Sequence, residues 1–225
     1  MTRYLLGTIA GLASVAVNAA LLDFEAPLPA GLAPGFLGQD APVLPSGVIT
    51  NQFADQGVIM SKVALVKLGD GHAPSGQNGL SGISSSGLID YHYDMTFSFV
   101  MPATPFAPAT TDYFSVWGDR AGSSRNVVTL FGFDTADNLL GSVSFTEYDT
   151  LGPMILTGIG QFRRVEITST LYDTYTGGIG LDYVAFGELN AVEVSSVPEP
   201  GSLALLGAGV LALVGSRRKS VWCLD

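Results

Sequence analysis

The feature that most constrains this chain is an alternation of apolar and polar residues with a period of two. In "YDMTFSFVM" the side chains of Met95, Phe97, Phe99 and Met101 share one face, and Thr96 and Ser98 take the other. In "NLLGSVSFTEY" the alternation sets Leu139, Val143 and Phe145 against Ser142, Ser144 and Thr146. Successive side chains of a strand point to opposite faces, so this spacing predicts half-buried antiparallel strands. "RNVVTLFGFD" is apolar on both sides and reads as a strand with neighbours on both edges. "QFRRVEITS" and "GLDYVAFGE" continue the series, with Val165, Ile167, Val184 and Phe186 as core candidates. Between these runs stand "GDGHAPSGQNG", "MPATPFAPATTD", "DTADN", "DTLGP" and "DTYTGG", which are turn chemistry, and Asp134 and Asp137 suit a hairpin turn. No stretch from 21 to 191 carries an apolar stripe of helical period with caps. About ten short strands are expected, giving an all-β domain over 21–191: a single antiparallel β-sandwich of jelly-roll type.

Both ends depart from that pattern. The N-terminus, "MTRYLLGTIAGLASVAVNAA", places Arg3 before an apolar run from Leu5 to Val17 and then small residues. That order is a signal peptide over 1–20 rather than an uncleaved anchor or a buried helix, with signal peptidase cutting after Ala19 or Ala20. At the other end a short linker, 192–197, leads into "VPEPGSLALLGAGVLALVGSRRKS". Sixteen uncharged residues, 201–216, separate Pro200 from Arg217. As a helix they rise about 24 Å, less than the ~30 Å core of a bilayer, so spanning calls for local thinning or snorkelling flanks. Arg217, Arg218 and Lys219 stay on the cytoplasmic side, which puts the domain outside.

Charge narrows the partners. Residues 21–196 hold 18 acidic and 6 basic side chains, a surplus of 12 negative charges. Nucleic acid is excluded as a partner, because phosphate binding needs basic patches. The one cysteine, Cys223, lies beyond the basic cluster, so the domain has no disulfide, thiolate metal site or cysteine nucleophile.

The tail's three elements in fixed order resemble the PEP-CTERM sorting signal of Gram-negative bacteria. Pro198, Glu199 and Pro200 match its motif, 202–214 its short transmembrane helix, and Arg217, Arg218 and Lys219 its basic end. The resemblance implies a partner, an exosortase-type membrane enzyme resembling a cysteine transpeptidase. It implies transient anchoring in the inner membrane, then release to the cell surface or extracellular matrix among exopolysaccharide and biofilm components. The residues 221–225, "SVWCLD" with Ser220, depart from the pattern, since such proteins usually stop at the basic end.

The domain itself resembles PEP-CTERM β-sandwich proteins and galactose-binding-like jelly rolls in "DFEAP", "ITNQFADQGVIMS", "VTLFGFDTADNLLGS" and "GIGLDYVAFGEL". That resemblance implies a structural Ca²⁺ held by Asp182 with Asp23 and Glu25, and oxygen ligands suit such a cation. The bland alternative is that Asp182 caps an edge turn and Asp23 is solvated.

No enzymatic motif is present: there is no G-x-S-x-G, H-E-x-x-H, P-loop or dinucleotide fingerprint. His72 and His92 read as loop and strand residues rather than ligands. Glu147 and Asp149 share one side of a strand and are the pair a carbohydrate-active enzyme would use, although acid pairs are ordinary in so acidic a chain. Among the tyrosines, Tyr172 and Tyr175 in a polar loop are the candidates for stacking on a sugar; the others suit core and edge packing. The expectation is therefore a non-enzymatic exported surface protein, against a secreted carbohydrate-active enzyme or a permanently tail-anchored structural protein.

Overall fold

The computed structural model describes residues 20–25, 27–36, 38, 40–68, 74–90, 94–104, 106–119, 126–145, 152–171 and 180–192, with the side chains of 119, 126 and 171 left aside. The strands are β1 (Ala20–Leu22), β2 (Gly35–Phe36), β3 (Val48–Ile49), β4 (Val58–Ser61) and β5 (Val63–Lys67). β6 (Asn78–Ile83), β7 (Ile89–Asp90), β8 (Met95–Phe99), β9 (Ala109–Asp119) and β10 (Asn126–Phe133) follow. β11 (Leu139–Phe145), β12 (Gly152–Phe162), β13 (Arg164–Leu171), β14 (Gly180–Phe186) and β15 (Asn190–Ala191) complete them. Only two single 3₁₀ turns, Pro45–Gly47 and Ala54–Gln56, interrupt the β structure of the described residues.

The strands form two sheets. The larger runs β12-β9-β14-β6-β5-β2, with β1 added to β14, β15 to β9, β3 to β5 and β7 to β6. The smaller runs β11-β10-β13-β8-β4. From β8 onward the chain crosses repeatedly: β8 is in the small sheet, β9 in the large, β10 and β11 in the small, β12 in the large, β13 in the small and β14 in the large. This is the antiparallel sandwich of jelly-roll type expected from the alternation. One pair departs from it, since β2 runs parallel to β5 over Gly35–Val66 and Phe36–Lys67.

The core lies between the sheets. Phe97 and Phe99 of β8 meet Phe114 at ring-centroid distances of 5.3 and 6.2 Å, and Phe99 also meets Phe162 and Phe186 at 5.9 and 5.3 Å. Tilted and edge-on contacts at these separations suit aromatic quadrupoles. Val165, Ile167, Val184 and Phe186 are buried, as is Met101.

Two local departures have clear causes. β5 is buried on both faces: Val63 and Leu65 enter the main core, while Ala64 and Val66 form a second small core with Leu68 and Ile89, packed by Ala41, Val43 and Ile83. The segment around 41–43 lies over the outer face of the sheet, so a strand there is apolar throughout. Leu139, expected on the core face with Val143 and Phe145, is instead 55% exposed. The register slips between Gly132 and Phe133, pairing Gly132 with Gly141 but Phe133 with Leu139. This bulge absorbs Leu140 and turns Leu139 to the outside.

Candidate functional site

The three acidic residues expected to act together all lie against residues 75–78, Glu25 and Asp182 through their carboxylates and Asp23 through its carbonyl. Leu22 and Phe24 are buried, which leaves Asp23 exposed and Glu25 partly exposed between them. Phe24 has φ of 56°, an uncommon conformation for a bulky residue. Its ring packs edge-on to Phe53 at 5.6 Å. Glu25 reaches the segment before β6: its Oε1 accepts the backbone N–H groups of Gln77 and Asn78, both at 2.8 Å, and its Oε2 accepts the Asn78 amide at 3.0 Å. Asn78 Nδ2 also donates to the Phe24 carbonyl at 3.1 Å. Asp23 accepts the Glu25 N–H at 3.2 Å, while its carbonyl accepts the Ser75 hydroxyl at 2.7 Å.

Asp182 of β14 closes the arrangement from the opposite side. Its Oδ2 accepts the Ser75 N–H at 2.8 Å and its Oδ1 the Tyr183 N–H at 2.7 Å. The next residue, Tyr183, adopts φ of 45°, donates its hydroxyl to the Pro74 carbonyl at 3.4 Å, and meets Trp117 edge-on at 6.1 Å. The β14–β9 register shifts between Asp182 and Ala185, and this irregularity places the carboxylate under the loop. Burial pushes the Asp182 carboxyl up from its ordinary range, against the hydrogen bonds from Ser75 and Tyr183, and the charge of Glu25 adds to the rise. Gly76 sits so close to Glu25 that a Cβ there would lie 2.6 Å from Oε1.

The donor set is all oxygen, which is hard-cation chemistry. In this arrangement, however, every oxygen of Glu25 and Asp182 accepts an N–H, and among the described residues no group of three acidic, histidine or cysteine side chains is placed to hold a metal ion. The observed chemistry of the site is the capture of a loop by carboxylates.

Beside Asp23 and Glu25 runs a groove of about 490 Å³, walled by residues 21–25 and 27–29 and by Gln52, Phe53, Asp55 and Gln56. A second surface is the outer face of the small sheet. One row across it reads Ser142, Phe131, Glu166, Thr96, Ser61. Another reads Leu139, Phe133, Arg164, Ser98, Ile59. Arg164 stacks on the Phe133 ring at 4.0 Å and pairs with Glu166, while Arg163 pairs with Asp137 at 2.7 Å. Thr129 and Ser144 bond across the strands at 2.9 Å. The face therefore combines half-buried rings with a field of hydroxyl groups.

Sequence reasoning placed Asp23, Glu25 and Asp182 together but missed their partners Ser75, Gly76 and Asn78, although a Gly-Gln-Asn run before a strand is itself a tight-turn pattern. It read the strand of Phe131 and Phe133 as a central one, as β10 is between β11 and β13, but did not single out the two rings. Asp134 does bind its own turn, accepting the N–H groups of Ala136 and Asn138. Tyr172, Tyr175, Glu147, Asp149, His72 and His92 lie outside the described residues, as do the N-terminal signal segment before Ala20, the sorting residues Pro198, Glu199 and Pro200, the helix 201–216 and the basic end Arg217–Lys219. Among the described residues no helix is long and apolar enough to cross a membrane.

Comparison with known proteins separates the domain from its tail. No curated protein matches the chain. Similar solved structures include a DUF4465 family protein from Bacteroides caccae, 12% identical, covering 76% of this chain and 100% of that one with a TM-score of 0.47. They also include TmCBM61 in complex with β-1,4-galactotriose, at 16% identity, 67% and 99% coverage and a TM-score of 0.36. A family 35 carbohydrate binding module from Clostridium thermocellum is 13% identical, with 62% and 95% coverage and a TM-score of 0.29. Similarity this distant carries no functional argument. The tail is different: the model of the PEP-CTERM protein-sorting motif matches residues 196–219. The chain thus carries the PEP-CTERM protein-sorting motif, which implies export, transient anchoring in a membrane by the C-terminal tail and processing by an exosortase.

Proposed function

We propose that this is a non-enzymatic surface or matrix protein, released from the inner membrane of a Gram-negative bacterium after signal peptidase and exosortase have acted, and that its β-sandwich associates with exopolysaccharide. The observation that carries the association is the outer face of the small sheet. Phe131, beside the Phe133 ring that Arg164 covers, offers a ring for sugar C–H faces, and Ser142, Ser144, Thr129, Thr96 and Ser98 offer hydroxyls for sugar hydroxyls. The acidic surplus favours a neutral or cation-bridged polymer over an anionic one. A Ca²⁺ near Asp23, Glu25 and Asp182 is the cofactor part of this proposal, supported by their oxygen chemistry alone. Excess Ca²⁺ should raise the melting temperature and chelator lower it, because a ligand bound only to the native state stabilises it; a temperature unmoved by either removes the ion.

Affinity electrophoresis of the exported protein through gels containing the host's exopolysaccharide tests the association. Retardation that weakens in Phe131→Ala supports it. Unretarded migration, or release of reducing sugar from the polymer, overturns it.

A further inference from the structure

The chain leaves the sandwich at the end opposite the acidic loop. β15 pairs Asn190 with Thr110 and Ala191 with Ala109, and the Val192 N–H donates to the Pro108 carbonyl at 3.0 Å. Beside this exit lies the 101–108 connection between β8 and β9. It is closed by backbone bonds from Met101 N–H to the Ala107 carbonyl at 2.9 Å and from Ala107 N–H to the Thr104 carbonyl at 2.9 Å. Met101 is buried, but Phe106, two residues from Pro108, is 62% exposed with φ of 77°. A bulky aromatic in the left-handed region is a true outlier, and here it aims the ring at solvent. The sequence from 95 to 111 has no charged residue, in a domain with a surplus of 12 negative charges. Charged side chains border this end: Glu188 ahead of β15, Asp112 beside Gly187, Arg163, whose carbonyl accepts the Phe99 N–H and whose guanidinium pairs with Asp137, and Asp55, beside Gly57 whose carbonyl accepts the Val100 N–H.

We propose that the 101–108 loop docks on the lipid bilayer while the tail is still in the membrane, with Phe106 entering the interface. The chain from Val192 to Gly201, where the apolar run begins, is nine residue steps and reaches at most about 32 Å when extended. A domain of roughly 170 residues is about 40 Å across, so the tether is shorter than the domain is wide. The surface beside the exit is therefore the one offered to the bilayer. The loop itself is uncharged and carries a single projecting aromatic, which is interfacial chemistry. One ring binds lipid weakly on its own; the tether supplies the effective concentration that makes the contact count. Cutting the tail removes that effective concentration, so the domain is released in the same step.

Phe36 provides the control. It is 79% exposed, yet it lies on β2 beside Lys67, which pairs with Asn78 at the acidic-loop end. The full chain, reconstituted in phosphatidylcholine vesicles with brominated acyl chains, is compared as Phe106→Trp and Phe36→Trp after subtracting the emission of the parent with its own Trp117 and Trp222. The expected result is a blue shift and bromine quenching at 106 but not at 36. Equal quenching at the two positions, or none at 106 in protein that floats with the vesicles, overturns the docking. Failure to float overturns the tethered state itself. Should Phe106→Trp disturb the loop, exposed Ala103→Trp reads the same surface.

Discussion

The two ends of the sandwich are built differently. At the acidic end, residues far apart in sequence are held by side chains: Glu25 holds Gln77 and Asn78, 52 and 53 positions away, and Asp182 holds Ser75, 107 positions away. At the exit end, the 101–108 loop is closed by its own backbone, and its aromatic side chain takes no part in holding it. The first end concentrates its order in a few carboxylates and is vulnerable to single substitutions. The second leaves its side chains free to meet something outside the domain.

The largest effect that separates the ends is at Glu25. Replacing it with Ala leaves three N–H donors without their acceptor, and urea unfolding should show a loss of about 3 kcal/mol. A loss no greater than that of Phe106→Ser, which should stay within about 0.5 kcal/mol, would erase the distinction between the ends. Next comes Gly76→Ala, whose Cβ would press on Glu25 Oε1 and should cost about 2 kcal/mol by displacing it. Most of that cost should vanish in a Glu25→Ala background, because the two residues act through one contact.

The pH dependence is smaller and has opposite signs at two places. Asp182 has a raised pKa, chiefly through burial, so ionising it opposes folding. In chelator, the advantage of the parent over Asp182→Asn should shrink as pH rises from the ordinary carboxylate value of 3.8 through the raised one. Asp137 has a lowered pKa, chiefly through its hydrogen bond from Arg163. The parent's advantage over Asp137→Asn should be present above 3.8 and fade as pH falls through the lowered value. Urea midpoints across pH measure both slopes, and parallel slopes would contradict the assignment. The smallest effect is at the exit: Phe106→Gly relieves the positive φ at some entropic cost and should stabilise the fold by no more than about 1 kcal/mol. In the same protein the vesicle contact should be lost, which would set function against stability at this loop.

The strands were legible where one face is buried and one is wet. Met95, Phe97 and Phe99 against Thr96 and Ser98 is such a case, and it came out as read. What resisted reading depends on structure added from a distance. β5 is buried twice because the segment near 41–43 covers it, and nothing in "VALVK" announces the cover. Leu139 changes face through a bulge, and a bulge moves side chains without altering composition. The acidic site was half legible: type and resemblance picked out Asp23, Glu25 and Asp182, but carboxylates look the same in sequence whether they face a cation or a row of backbone N–H groups. The tail was legible outright, because charge, length and the Pro-Glu-Pro order speak through sequence alone.

The central claim is that this tail is a temporary anchor, not a permanent one. Its most direct test is the intact mass of the exported protein from cells with and without their exosortase. The expected result is a mass lacking the apolar run 201–216 and everything after it when the enzyme is present, and the full tail when it is absent. A full-length tail on the exported protein in both strains would contradict the account.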